Sequence, residues 1–366
     1  MMLERKVLFL MQLPKPIHGV SVMNQIILDS PFFKDSKKKI INLNTSGSLL
    51  EIKKYSFRKI LFSTHKVFSL IYQLIFFNPD LVYFSFFPYG KAFIRDAFFL
   101  FILKLFTCKV IIHIHNFGLI GTPVKNKLLR FLLKSVNIIV LSEMQREEEI
   151  IPLKLKKSEI FVLKNGIKEI NINSFEQKKE KQVVLLFLSN FFEEKGIFFL
   201  LDAFESYIRQ TKNKVKLILS GQDFDNNKNK ILNFVAHKDL TAYITIKENV
   251  FDKDKWQLYA MADIFIFPSY FKETSSLVIM EAMQFGLPVI ASKTGVIPQL
   301  VCNGEDALLF PPKDKTLFLQ SLDLLITDEE KRRNMGNKAR ENFLSKYSIS
   351  YFYDNFQQIL NKVMDE

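Results

Sequence analysis

Two glutamates spaced eight residues apart, Glu273 and Glu281, are the side chains best placed to do chemistry. Glu281 lies within residues 277–283, a run that is apolar on every side and therefore predicts a buried helix. An ionised carboxylate in such a helix is destabilising unless a partner or a ligand meets it. Glu273 comes before the helix, beside three hydroxyl residues (274–276) that are N-cap candidates. The free amides of a helix N-terminus suit a phosphate, and carboxylates suit hydroxyl groups, so the segment offers what a nucleotide-sugar needs. The alternative is an ordinary helix with one cap and one solvated Glu.

The same residues carry a family resemblance. The pattern Glu273-x7-Glu281, followed by Ala282-Met283 and by residues 286–290 (Gly-Leu-Pro-Val-Ile), resembles the core motif of family 4 retaining glycosyltransferases, the glycosyl transferases group 1. The resemblance implies the GT-B fold and a retaining, metal-independent hexosyltransferase. It also implies that the leaving phosphate, rather than a protein nucleophile, assists attack on the same face of the sugar.

Roles for individual residues follow from this resemblance. Glu281 would hold the ribose hydroxyls and Glu273 the hydroxyls of the donor sugar. The amides near Ser276 and Leu277 would stabilise the departing diphosphate, where charge builds in the transition state. The family usually has Gly where this chain has Ser276, so a side chain narrows the pocket.

A second set of polar residues follows the apolar run 183–188. Residues 189–196 (Ser-Asn-Phe-Phe-Glu-Glu-Lys-Gly) resemble the family loop that grips phosphates with a basic pair. Lys195 is retained in this loop as a predicted catalytic cation, whereas Asn190 stands where many relatives have Arg and weakens the clamp. Gly221, which ends the run 215–219 with Ser220, resembles the family glycine beside the nucleoside. Taken alone, a Lys-Gly pair is usually a solvated turn.

The first half of the chain contributes two predicted site residues. Gly19 follows the first apolar run, at the start of a predicted helix, and resembles one glycine of the family's usual pair. His113 and His115 alternate with isoleucines on one strand, so both point to the same face. By the resemblance His115 contacts the donor sugar, whereas His113 is expected to be a core residue. Residues 164–167 (Lys-Asn-Gly-Ile) resemble the family's Asn-Gly-Ile before its interdomain linker, and Asn-Gly is also a common turn.

The composition limits the class of protein. The chain has 366 residues, 48% of them hydrophobic, and only two cysteines, Cys108 and Cys302. These numbers suit two domains in a reducing cytoplasm, without a disulfide framework. The pairs Asp223/Asp225 and Asp252/Asp254 are interpreted as loop or cap aspartates. We therefore expect no metal, and no cofactor beyond the nucleotide-sugar, which is a co-substrate.

Alternating apolar runs and helical patterns predict the architecture. They indicate an α/β protein with two Rossmann-like, doubly wound parallel sheets facing across a cleft. The predicted domains are residues 1–170, a linker at 171–182, residues 183–347, and a C-terminal helix at 348–366 that by the resemblance crosses back to the first domain. The predicted strands are residues 7–13, 39–43, 81–86, 110–115, 138–141, 160–163, 183–188, 215–219, 243–246, 264–267 and 289–291. Predicted helices in the first half include residues 91–106 and 125–134.

The net charge of +13 favours an anionic partner. We see no zinc module or RNA-recognition signature, so nucleic acid is not expected. Residues 53–77 interleave Lys53, Lys54, Arg58, Lys59 and Lys66 with aromatic residues, as a helix lying on an anionic membrane does. The alternative is an amphipathic helix packed on the sheet. No apolar run reaches the roughly 20 residues that span a bilayer. A cytoplasmic protein is expected, with peripheral attachment to the inner face of the plasma membrane as its membrane-bound form.

The predicted function is transfer of a sugar from a UDP- or GDP-linked donor to a hydroxyl of a glycan or lipid-linked oligosaccharide. Surface polysaccharide or lipopolysaccharide synthesis is the expected setting. A sugar-nucleotide epimerase or hydrolase of the same fold is an alternative, although it would want a clearer set of acid/base carboxylates. The non-enzymatic alternative is a basic protein that binds membrane or nucleic acid.

Overall fold

Two six-stranded sheets organise the chain, one in each of two units. Unit 1 comprises Met1–Asn165 and Phe352–Glu366, and unit 2 comprises Gly166–Tyr351. The protein is described by a computed structural model. It covers residues 5–15, 17–44, 57–155, 158–176, 182–223 and 225–365, with the backbone alone for residues 57–64. The prediction of an α/β fold with two doubly wound parallel sheets is confirmed.

Unit 1 has the strand order β2-β1-β3-β4-β5-β6, with every neighbouring pair parallel. Its strands are β1 (Lys6–Met11), β2 (Lys37–Asn42), β3 (Leu81–Phe86), β4 (Lys109–Ile114), β5 (Asn137–Val140) and β6 (Ile160–Val162). Its helices are α1 (Gly19–Leu28), α2 (Phe57–Tyr72), α3 (Gly90–Leu103), α4 (Pro123–Leu133) and α5 (Glu143–Gln145), and a π-helical turn (Gln73–Phe77) extends α2.

The two faces of the unit 1 sheet are covered by different helices. Leu70 of α2, Leu100 of α3 and Leu129 of α4 share one hydrophobic core with the side chains on one face of the sheet. The last helix of the chain, named α13 (Ile349–Asp365), lies on the other face from residue 352 onward, where the Phe356 ring packs edge-on against Tyr83. The sheet is therefore buried on both sides, as the continuous apolar strands require.

Unit 2 has the strand order β12-β11-β10-β7-β8-β9, again parallel throughout. Its strands are β7 (Val183–Leu188), β8 (Val215–Gly221), β9 (Ile244–Glu248), β10 (Ile264–Phe267), β11 (Val289–Ser292) and β12 (Ala307–Phe310). Its helices are α6 (Ile197–Gln210), α7 (Asn227–His237), α8 (Asp252–Met261), α9 (Leu277–Gln284), α10 (Ile297–Leu300), α11 (Lys315–Thr327) and α12 (Glu329–Lys346). Side chains of β7 alternate between two cores, Leu185 on one face and Leu186 on the other.

The observed elements differ in places from the sequence predictions. The prediction did not include β12, and β9 lies one to two residues later than the predicted 243–246. Within the described residues, no helix combines the length and the apolar composition needed to cross a bilayer. Of the predicted linker, residues 177–181 lie outside the described part of the chain, as do residues 53–56 of the predicted membrane stretch. Lys66 of that stretch does not contribute to an outward basic face, because it is buried and its Nζ donates to the Asn44 carbonyl at 2.6 Å.

Candidate functional site

The strand order of unit 2 brings two loops together. β7 and β10 are neighbours, paired at Leu185 with Ile264, although 78 residues separate their loop residues Lys195 and Glu273 along the chain. The order of strands reverses at this pair, and ligands of open α/β sheets bind beyond the carboxyl ends of strands at such a reversal. The two loops are joined by main-chain hydrogen bonds, because the Glu194 carbonyl accepts from the amides of Tyr270 and Phe271 at 2.9 and 3.2 Å.

Gly196 permits this close approach of the loops. Its φ is +80°, and a Cβ at this position would lie 2.1 Å from the Pro268 carbonyl oxygen. No other residue type fits without moving one of the loops. The glycine therefore sets where α6 begins and holds Lys195 immediately before that helix.

Lys195 and Glu273 meet at the centre of the joined loops. The Lys195 Nζ lies 2.6 Å from the Glu273 Oε1, and the Ser269 hydroxyl donates to the same oxygen at 2.7 Å. The Phe267 and Phe271 rings flank the ammonium, with centroids at 5.6 and 5.0 Å. A buried carboxylate is stable here because an ammonium and a hydroxyl both satisfy it. The arrangement presents a cation and a carboxylate side by side, as a sugar diphosphate requires.

The backbone of Glu273 is held as firmly as its side chain. Its carbonyl accepts from the Val296 amide at 3.0 Å. Gly295, with φ +50°, runs so close that a Cβ would lie 2.2 Å from that same carbonyl oxygen. Gly295 does not stand out in the sequence, because the contact arises only when the loop after β11 folds onto the loop after β10.

The first turn of α9 leaves two polar groups without hydrogen-bond partners among the described residues. Ser276 occupies the N-cap position, as predicted for residues 274–276, but its hydroxyl makes no capping hydrogen bond. Its Oγ is buried and has no hydrogen-bond partner in the part of the chain that the structure describes. The Leu277 amide likewise meets no acceptor among these residues, since the first intrahelical bonds run from Ile279 and Met280 to the Ser276 carbonyl. Such an open helix end is suited to an anion.

Glu281 lies within α9 and has its own hydrogen-bond partners. The Lys255 Nζ lies 2.7 Å from its Oε1, and the Tyr259 hydroxyl donates to its Oε2 at 2.8 Å. Burial, followed by the nearby Glu281 charge, raises the pKa of Tyr259 well above its ordinary value. The phenol therefore stays protonated and donates. The prediction required a partner for Glu281 but did not find Lys255 and Tyr259. Their spacing of four residues, on one face of α8, was the available signal.

The remaining predicted residues of unit 2 lie at the ends of β7 and β8. The Asn190 carbonyl accepts from the Phe192 amide at 2.7 Å, while its amide side chain forms no hydrogen bond with the described residues. Gly221 lies against the neighbouring loop, where a Cβ would be 1.9 Å from the Ser189 carbonyl oxygen. Asp223 lies before the N-cap residue of α7 and accepts from the Lys228 amide in the first turn, and Asp252 begins α8. Within the described part of the chain, no three His, Cys, Asp or Glu side chains converge as metal ligands.

Two predicted residues belong to unit 1. Gly19 is the first residue of α1, whose N-cap is His18 in a reciprocal hydrogen-bonded pair with Ser21. His115 follows β4, and its buried Nε2 has no partner among the described residues. Burial, and then the charge of His18, lowers the pKa of His115 to about 3, so its ring is neutral at physiological pH. His18, which directly precedes Gly19, therefore lies near enough to His115 to influence its charge.

His113 behaves as the core residue that was expected. Its ring lies 4.0 Å from that of His115, and its Nδ1 is 2.5 Å from the Tyr83 hydroxyl. Burial lowers its pKa well below the ordinary value.

Comparison with known proteins identifies the family that the second half of the chain resembles. Residues 169–342 match the family model "Glycosyl transferases group 1", which confirms the resemblance predicted from the sequence. The N-acetyl-alpha-D-glucosaminyl L-malate synthase of Bacillus anthracis is 28% identical over 188 residues, 50% of this chain and 47% of that protein. The lipopolysaccharide 1,2-N-acetylglucosaminetransferase of Salmonella typhimurium is 27% identical over 195 residues, 51% of this chain and 50% of that protein. The chain thus spans about half the length of these curated relatives.

Solved structures agree on the fold. HepE of Anabaena, crystallised with UDP, superposes with a TM-score of 0.74 at 19% identity, covering 98% of this chain and all of that one. Sucrose-phosphate synthase of Thermosynechococcus elongatus gives the same TM-score at 15% identity, covering 99% of this chain and 100% of that one. At this level of identity the likeness concerns the fold, and the predicted GT-B fold is confirmed.

Proposed function

Residues 169–342 belong to the glycosyl transferases group 1, and from that premise we propose that the chain transfers a sugar from a nucleotide-sugar donor to a hydroxyl group of an acceptor. The observation that carries the proposal is the arrangement around α9. The Lys195–Glu273 pair precedes the helix, Ser276 and Leu277 leave its N-terminus open, and Glu281 is held within it. Transfer is favoured over epimerisation or hydrolysis because the two curated relatives described above are named as a synthase and a transferase.

Each part of this arrangement suits one part of the donor. The open amides and the Lys195 ammonium suit the diphosphate, whose charge grows as the sugar leaves. The Glu273 carboxylate suits hydroxyls of the sugar, and the Glu281 carboxylate suits the two ribose hydroxyls. Asn190 and Gly221, at the adjoining strand ends, would contact the nucleotide. In unit 1, Gly19 and the neutral His115 ring are proposed to act on the sugar side.

We propose the same site as the basis for the stereochemistry, the metal independence and the substrates of the reaction. We expect the reaction to retain the anomeric configuration. We also expect it to need no divalent metal, since an ammonium and helix amides can neutralise the leaving diphosphate. A UDP- or GDP-sugar donor and a glycan or lipid-linked acceptor are proposed. The HepE structure contains UDP, and one curated relative is named for lipopolysaccharide. An anionic membrane would hold such an acceptor, whereas nucleic acid has no part in the proposal.

A thermal-shift panel of UDP-, GDP-, ADP- and dTDP-sugars tests donor binding directly. One nucleotide should raise the melting temperature of the wild type, and Glu281→Gln should lose that rise. The matched control is Glu205→Gln, another ion-paired carboxylate, which contacts Arg209 at 2.8 Å away from α9. Equal shifts in wild type and Glu281→Gln would remove Glu281 from the site. No shift with any donor would contradict the proposal.

Product analysis then tests the reaction itself. With the identified donor and a panel of glycan acceptors, the proposal predicts a new glycosidic bond with the donor's anomeric configuration, measured by NMR. Activity should persist in EDTA. Release of free sugar at the same rate with and without acceptor would instead indicate a hydrolase, and an inverted product would overturn the retaining mechanism.

A further inference from the structure

Three neighbouring helices of unit 1 expose apolar side chains on their outer sides. α2, α3 and α4 lie next to one another on one face of the sheet, and their inner sides are buried in a common core. An outer helix face of a water-soluble domain is normally polar. Here each outer face carries large apolar residues at helical spacing. We call these outer faces together the three-helix surface.

The stripe on α2 and its π-helical extension consists of Phe68, Tyr72 and Phe76, four residues apart, with Ile75 beside them. Phe68 is 72% exposed and Phe76 is 70% exposed. A spacing of four residues places side chains above one another on one face of a helix. These aromatic rings therefore form one continuous outward ridge.

The stripes on the other two helices repeat the pattern. On α3 and just beyond it, Ile94, Phe98, Phe101 and Leu105 follow the spacing i, i+4, i+7, i+11 and are all exposed. On α4, residues 124, 128 and 131 (Val, Leu and Phe) follow the spacing i, i+4, i+7 and are also exposed. Scattered exposed apolar residues are ordinary, but three adjacent parallel ridges mark an interaction surface.

The charge of the three-helix surface has one sign. Residues 57–77, 90–105 and 123–134 contain a single acidic residue, Asp96. Asp96 is fully buried and paired with Arg95 at 2.7 Å, so it adds no negative charge outside. Lys127, Arg130 and Lys134 of the α4 region are exposed beside the apolar ridge. The surface therefore combines apolar ridges with an unopposed positive charge.

We propose that the three-helix surface docks on an anionic lipid bilayer, with the aromatic ridges at the boundary between headgroups and acyl chains. The basic side chains of α4 would lie among the lipid phosphates. A second copy of this chain fits less well, because a symmetric contact would oppose like charges. This surface would bring the enzyme to a membrane-borne acceptor, so its biological purpose rests on the proposed function. It extends the stretch predicted at residues 53–77 to the outer faces of α3 and α4, and it leaves out Lys66, which faces inward.

Vesicle co-sedimentation of the whole chain, without donor or acceptor, tests the proposal. Binding should be strong on phosphatidylcholine vesicles containing phosphatidylglycerol, weak on phosphatidylcholine alone, and reduced by high salt. Phe98→Asp and Phe131→Asp should each lower the partition coefficient by roughly tenfold or more, since each removes an apolar side chain from the lipid and adds a negative charge. The control Leu232→Asp makes a similar change on the exposed surface of α7 and should bind like wild type.

Charge-reversal variants measure the electrostatic contribution to vesicle binding. Lys127→Glu with Arg130→Glu should weaken binding to anionic vesicles and leave the weak binding to neutral ones unchanged, whereas Lys212→Glu, on an exposed loop of unit 2, should change neither. Equal binding of all variants, or no preference for anionic lipid, would overturn the proposal. The proposal would also be overturned by the following combined outcome. The wild type self-associates in sedimentation velocity, and Phe98→Asp loses this self-association but still binds vesicles. The donor thermal shift of Phe98→Asp should remain that of wild type, so failure here is distinguishable from failure of the proposed function.

Discussion

At the scale of single residues, Lys195 is predicted to act mainly in the transition state. It lies against Glu273 and at the loop that precedes α6, where a leaving diphosphate would gain charge. Lys195→Met should therefore lower kcat by about 10²-fold, as removal of one preorganised donor does in other enzymes. The melting temperature should also fall, because the buried Glu273 carboxylate keeps only the Ser269 hydroxyl as a partner. Steady-state kinetics and calorimetry measure the two effects.

The control for this substitution is Lys315→Met, which breaks a pair of similar length, 2.7 Å to Asp202, on an exposed helix. It should leave kcat unchanged. If Lys195→Met retains full activity, the ammonium only neutralises Glu273 and has no part in transfer.

Tyr259 is predicted to act by positioning Glu281. Tyr259→Phe removes one hydrogen bond to the carboxylate without changing the packing of the ring. A hydrogen bond to a charged group contributes about 1.5–3 kcal/mol, so the donor KM should rise by roughly tenfold or more. Because the ribose does not change in the reaction, kcat should stay close to that of wild type.

Tyr207→Phe is the matched control, since its hydroxyl also donates to a carboxylate, that of Asp323 at 3.0 Å. It should change stability alone. A fall in kcat with Tyr259→Phe at constant KM would show that Glu281 acts on the reacting centre instead.

The sequence drew attention to the proposed site residues but not to the ion pairs that they form. Glu273, Glu281 and Lys195 stand out because carboxylates and a cation occur at informative places in apolar patterns. The Lys195–Glu273 pair and the Lys255–Glu281 pair were not evident, because each joins segments whose proximity depends on the strand order. One sequence does not reveal that β7 and β10 are neighbours.

At the scale of elements, the loop after β11 is predicted to hold the loop after β10 in place. Gly295→Ala should be strongly destabilising, because φ is +50° and the new Cβ would lie 2.2 Å from the Glu273 carbonyl oxygen. Strain of the backbone alone costs about 1–2 kcal/mol, and the clash adds to it. Donor binding should be lost together with stability, since Glu273 must move. Denaturant unfolding and the donor thermal shift measure both.

Gly304→Ala isolates the contribution of backbone strain. Its φ is +87°, yet no atom lies within 4 Å of the added Cβ. The free energy of unfolding of this variant should fall only by the cost of the strained backbone, and donor binding should be retained. Equal destabilisation by the two substitutions would show that the contact with Glu273 is not constrained.

Among the elements, each predicted strand lies within two residues of its predicted ends, and β12 was missed. β7 and β3 are continuous buried runs, which is what a parallel strand covered on both faces must be. β12 has only four residues, and two of them are only partly buried, so its pattern is too short to distinguish a strand from a loop. The three-helix surface was also missed in α3 and α4, because an apolar ridge is recognised as outward only when the inner face is known.

At the scale of the whole molecule, stability is predicted to fall on the acid side of neutrality. The protein already carries a net charge of +13, and protonation of buried imidazoles must add to it on unfolding. The pKa of His115 is about 3 in the folded protein, against an ordinary value of 6.5. Between these values the unfolded chain binds the proton and the folded chain does not. The contribution of His115 is therefore complete above pH 6.5 and is lost as the pH falls toward 3, by about 1.4 kcal/mol per pH unit.

His115→Gln should remove this slope, because glutamine does not titrate. Urea unfolding followed by circular dichroism, at several pH values from neutral to mildly acidic, should give a difference between wild type and variant that changes steadily with pH. His237→Gln, on the exposed end of α7, should leave the slope of wild type intact. Parallel curves for wild type and His115→Gln would mean that the His115 ring takes up its proton without unfolding. A neutral ring at the end of β4 would then no longer be available for hydrogen bonding to a sugar at low pH.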